Sequence, residues 1–152
     1  MFDLLLPRSV AGAYPGHVLA LWILGLVALA KAAMGINCIF NGRTVAANAD
    51  GVPLDSFGAD GARTVVALFA IWGLCQLLFA LISVVALARW RGLVPAVFLL
   101  LLAEHLGRKL ILHFQPIVST GSPPGSWVNH ALLALLLAGF ALSLWSRSGG
   151  AG

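Results

Sequence analysis

The run LLAEHLGRKLILHF, residues 101–114, sets five ionisable side chains, Glu104, His105, Arg108, Lys109 and His113, among Leu, Ile and Phe. A carboxylate, imidazoles and two cationic groups this close together are equipped to move a proton, to hold an anion or to close an ion pair. Glu104 and Arg108 are spaced i, i+4 with the acid first, the favourable order for an intrahelical pair. Which of these chemistries applies depends on the depth at which the groups sit, and so on the elements that carry them.

Those elements are apolar. Of 152 residues, 61% are hydrophobic and only 9% charged, and the mean hydropathy is +0.99. Soluble domains carry roughly a quarter charged residues, so the composition belongs to membrane proteins. Four spans of about 20 residues plus loops use up the chain. It therefore reads as one integral membrane domain, residues 1–152, with no room for a separate soluble catalytic domain. The net charge of +4 reports orientation rather than a nucleic-acid partner, because no basic run is long enough to grip phosphates.

Four segments are long enough to cross about 30 Å of hydrocarbon: residues 17–40, 63–88, 94–114 and 127–145. Pro95 suits the first turn of the third, and Pro116, Pro123 and Pro124 prevent it from continuing into the fourth. Ala-x-Ala patterns at Ala28–Ala30 and Ala30–Ala32 resemble signal-peptide cleavage sites. The weakly basic leader, with Arg8 against Asp3, and the apolar stretch running on to Phe40 argue for an uncleaved span. Arg8, Arg89, Arg91 and Arg147 on one side, against Arg43 and Arg63 diluted by Asp50, Asp55 and Asp60 on the other, favour both termini in the cytoplasm. Trp22, Trp90 and Trp145 then mark the inner interface and Trp127 the outer one.

The expected fold is an all-α antiparallel bundle of four transmembrane helices with a long first extracytoplasmic loop. In that loop, residues 41–62, the stretch ADGVPLD suggests a turn and an extended piece, and so a short capping β-hairpin. Small residues mark close helix contacts in membranes. Three stripes fit: Gly25, Ala28, Ala32 and Gly35; Gly73, Gln76, Ala80 and Ser83; and Ala131, Ala134, Ala138 and Ala141.

Counting from the cytoplasmic helix ends at about 1.5 Å per residue puts Glu104 roughly 15 Å deep. On the same scale Arg108 and Lys31 lie at about 21 Å, Gln76 at about 18 Å and His130 at about 22 Å. Each span thus places a polar side chain in one slab of the outer half. Lys and Arg can snorkel to the interface, but Glu104 is too short to do so. It has to be paired, protonated or facing a wet cavity.

Three readings fit these residues. In the first, Lys31, Gln76, Glu104, Arg108 and His130 line an outward-facing polar pocket for a small anion, a lipid or a quinone head group. In the second, Glu104 or His105 donates a proton within a membrane-embedded redox or lipid-modifying enzyme subunit. In the third, the charges hold the bundle together or meet another copy or a partner membrane subunit. No nucleophile elbow, HExxH or CxxCH occurs, and Cys38 and Cys75 lack metal-ligand spacing. No cofactor or metal is expected.

The stretch FGADGARTVVALFAIWGLCQLLFAL (57–81), with Gly58, Gly61, Ala62, Arg63 and Gly73 after a polar outer loop, resembles the DoxX-like group of small bacterial membrane proteins. The resemblance implies a four-helix inner-membrane protein, in a group with members linked to quinone-coupled sulfur oxidation or redox homeostasis. AEHLGRK and DGVPLD match no motif of that group, so no catalytic residue is carried over.

Overall fold

A computed structural model describes residues 14, 16–119 and 124–145. Arg8, Arg147 and Pro123, on which part of the orientation and loop reading rests, lie outside the described residues. All regular structure among the described residues is helical. Four long helices dominate: α1 (Val18–Phe40), α2 (Ala59–Ala88), α3 (Val94–Phe114) and α4 (Gly125–Leu144). Three of them, α1, α2 and α4, are long and apolar enough to cross a membrane. The fourth, α3, has 21 residues but carries Glu104 at its middle and Arg108 and Lys109 in its C-terminal half.

Local chemistry explains where these helices start and stop. The ring of His17 caps α1, its Nδ1 accepting from the Leu19 N–H at 3.2 Å. Pro95 occupies the first turn of α3, where its missing N–H has no intrahelical partner to lose. A tight turn through Arg91–Leu93 links α2 to α3.

The helices pack as a ring in the order α2, α1, α4, α3, and the seam between α3 and α2 that completes it is the loosest of the four. Around the ring the outer surface is apolar: Trp22, Leu29, Phe40, Leu68, Ile71, Leu110 and Trp127 are all exposed. That is a surface made for lipid. The interior half near the α2–α3 turn is a core of Leu24, Val27, Val97, Phe98, Leu101 and Leu136.

Shape fixes two of the helix contacts. A Cβ on Gly73 would lie 2.6 Å from the Gly35 carbonyl oxygen, and one on Gly35 would lie 2.7 Å from that of Gly73. The two backbones touch there, and the expected stripe Gly73, Gln76, Ala80, Ser83 is buried throughout. In α4 the expectation fails. Ala131, Ala134, Ala138 and Ala141 are exposed, and Leu132, Leu136, Gly139 and Ser143 face inwards instead. The Phe98 ring fills the space where a Gly139 side chain would stand. Fitting that aromatic knob sets the rotation of α4, and lipid does not distinguish Ala from Leu strongly enough to oppose it.

The β-hairpin expected in the first loop is also absent. Residues 41–58 contain no strand; after Asn41 the chain makes helical turns at Gly42–Thr44 and Val45–Ala49, then a short one at Leu54–Ser56. Ala46, Ala47 and Ala49 favour helix, and the N–H groups of Asp50 and Val52 bond to the carbonyls of Val45 and Ala46. The backbone is thereby satisfied locally, with no row of groups left for a ladder. Asp50–Gly51 does turn as expected, Gly51 adopting φ 70°. Val52 and Leu54 then pin the loop to Val65, Val66 and Phe69 of α2.

Candidate functional site

One turn from the Gly35–Gly73 crossing, α1 and α2 each carry a polar residue inwards. The Lys31 ammonium donates to Gln76 Oε1 at 2.7 Å and to Glu104 Oε2 at 3.0 Å. Lys31 is 4% exposed and Gln76 2%, so neither side chain snorkels to the interface. The same ammonium lies 5.3 Å from the centre of the Phe79 ring, a cation–π contact in a water-poor setting.

Glu104, on α3, is the hub. Its second oxygen, Oε1, is 3.8 Å from Arg108 Nε, an ion pair too long for a hydrogen bond. Arg108 is held in turn by α4 and α2. Its Nη2 donates to Asn129 Oδ1 at 2.9 Å, and its guanidinium lies 5.2 Å from the centre of the Trp72 ring. The same Nη2 is 3.4 Å from Nδ1 of His105, which is 1% exposed. A guanidinium only donates, so Nδ1 accepts and the proton of the neutral imidazole sits on Nε2. Three buried polar atoms, Glu104 Oε1, Arg108 Nε and His105 Nε2, have no hydrogen-bond partner. Buried polar groups left in that state are costly and uncommon.

Of the residues expected to line a pocket, Lys31, Gln76, Glu104 and Arg108 converge. His130 does not. It is exposed, and its Nδ1 lies 2.7 Å from the Ser126 carbonyl of its own helix. Asn129, one residue earlier and so about 100° round the helix, takes the inward position instead. Depth along a helix is countable from sequence, whereas its rotation is not. Asn129, Trp72, Phe79 and the inward-facing His105 thus join the four. The legible signal for Asn129 was only that α4 opens with adjacent polar residues.

The first loop roofs this cluster at the start of α4. A Cβ on Gly125 would lie 2.7 Å from the Ala49 carbonyl and 2.9 Å from Asp50 Oδ1, so loop and helix meet without room for a side chain. Burial there pushes the Asp50 carboxyl above the usual carboxylate range, against the opposing pull of Arg108. A raised folded value means that Asp50 contributes stability fully below its unfolded value, and that this is lost as pH rises through the folded one. Asp50→Asn is therefore expected to be more stable than the parent at neutral pH and to lose part of the parent's gain on acidification. Thermal melts of both proteins from acidic to neutral pH check this; parallel profiles would count against it.

Among the described residues no group of three or more His, Cys, Asp or Glu is placed to hold a metal ion. Cys38 and Cys75 are both free thiols, one buried and one exposed. Comparison with protein-family models, with curated proteins and with solved structures finds no match to this chain.

Proposed function

We propose that this is a multi-pass protein of the bacterial inner membrane, both termini cytoplasmic, in which all four long helices span and the polar cluster binds a small anion or the head group of a lipid or quinone. The observation that carries this reading is the charge balance at the centre of the ring. Lys31 and Arg108, from two different helices, both face Glu104, the one described carboxylate within ion-pair distance of them, and buried donor and acceptor atoms remain beside them without hydrogen-bond partners. A purely structural pair needs one charge of each sign and no spare hydrogen-bonding capacity; two cations sharing one directly paired carboxylate among orphaned polar atoms suit an incoming oxygen-rich group. A DoxX-like relationship accords with the same architecture and stands as part of this proposal.

The second reading, a structural or assembly role, has its own observation. Lys31 already holds two protein partners and Arg108 holds Asn129 and Trp72. Melting of the purified protein in detergent against acetate, phosphate, oleic acid and a short-chain ubiquinone separates the two. Binding predicts that at least one probe raises the melting midpoint, and that Lys31→Met and Glu104→Gln each abolish the shift. If neither variant changes any probe response, the pocket reading fails and the structural one is left.

A further inference from the structure

We infer that the ligand of this site is a long-chain carboxylic acid that enters sideways from the lipid through the seam between α2 and α3; the inference rests on the binding reading above and narrows it. The first support is hydrogen-bond complementarity. Arg108 Nε is a donor and Glu104 Oε1 an acceptor, both buried, both without a hydrogen-bond partner and 3.8 Å apart as an ion pair. A carboxylic acid offers a carbonyl oxygen to the donor and an O–H to the acceptor. A quinone or an ester offers acceptors only and leaves Glu104 Oε1 unsatisfied. Two carboxyls sharing one proton would ordinarily repel, but here they face two cations, Lys31 and Arg108.

The second support is the shape of the seam. On α3, Val97, Leu101, Glu104 and Arg108 follow one another at helical spacing along one face. At the inner end of that face lies a groove of about 280 Å³ between the helices, walled by apolar side chains that include Ile82, Val85, Trp90, Leu93 and Val97. Val97 is seven residues from Glu104, or about 10 Å along the axis, within the span of a fatty acyl chain. At the other end Arg108 stacks on Trp72 across the same seam and stops the head group there. An acid moving in from the lipid in its neutral form therefore meets apolar walls along its tail and the orphaned pair at its head. Between groove and head group that face is closed by the packed Leu101, so entry of the acid has to part the α2–α3 seam, the loosest of the four.

The test uses the purified full-length protein in a neutral detergent with oleic acid, its methyl ester and acetate as probes. Oleic acid is expected to raise the melting midpoint by a few degrees while the ester and acetate leave it unchanged. Val85→Trp, which fills the groove and leaves the polar cluster intact, should reduce the oleic acid shift. A second readout needs no variant to fold: a brominated fatty acid should quench the tryptophan fluorescence of the parent protein more strongly than its methyl ester does. Equal stabilisation or equal quenching by the ester overturns the inference. So does stabilisation by acetate or phosphate without any response to oleic acid, an outcome that leaves the broader binding reading standing. Probe responses that are indifferent to both Lys31→Met and Glu104→Gln overturn the two together.

Discussion

Replacing Glu104 with leucine is expected to destabilise the folded protein by about 3–5 kcal/mol, the usual cost of removing one partner from a buried ion pair. The reason lies with what is left behind. Lys31 is 4% exposed, and without Glu104 its ammonium keeps only Gln76 Oε1 and the face of Phe79. Arg108 would lose its nearest carboxylate as well. The double variant Lys31→Met with Glu104→Leu removes this pair and should recover part of the loss, because an apolar pair of similar volume needs no desolvation, while Arg108 and Gln76 Oε1 still lack the partners they had. Reversible unfolding in mixed micelles, run as a double-mutant cycle, measures the coupling. A coupling energy near zero would mean that the two side chains do not share a buried contact in the native state.

Gly73→Ala should be among the most damaging single methyls at the described glycines, and Gly107→Ala among the most harmless. At Gly73 the added carbon lies 2.6 Å from a backbone carbonyl and 2.8 Å from the Cys38 Cβ, neither of which can rotate away. The helices have to part, at a cost of about 1–3 kcal/mol or more. Parting them also stretches the 2.7 Å bond from Lys31 to Gln76, one turn away, so any probe binding at the cluster should weaken with stability. At Gly107, in the same kind of helix, a Cβ meets nothing within 4 Å. Removing glycine from a helix interior there should stabilise by about 0.5–1 kcal/mol. Unfolding midpoints of the two variants side by side check the contrast. Equal effects would show that α1 and α2 do not meet at these glycines.

Much of this is legible in the sequence. Apolar runs bounded by Pro, Gly and charged residues located four helices to within a few residues, because a membrane-length helix is a one-dimensional feature of composition. Depth was also one-dimensional, and counting along each helix brought Lys31, Gln76, Glu104 and Arg108 to one level. The same logic marked Gly35 and Gly73 as close-contact residues, since only small side chains allow the backbones to meet.

What the sequence could not determine was rotation about each helix axis and the order of helices around the ring. A residue's height follows from counting, but the direction it faces is settled by which knob finds which hole. Phe98 against Gly139 turned the alanine stripe of α4 out to the lipid, and the same turn carried Asn129 inwards and His130 outwards. The first loop, likewise, spent its backbone hydrogen bonds on helical turns that close within a few residues. The sequence alone therefore determined an apolar chain of four long helices with a carboxylate midway along the third. The tertiary structure decided that Glu104 meets Lys31 from α1 as well as Arg108 from its own helix, because only packing sets which faces of separate helices share a desolvated space.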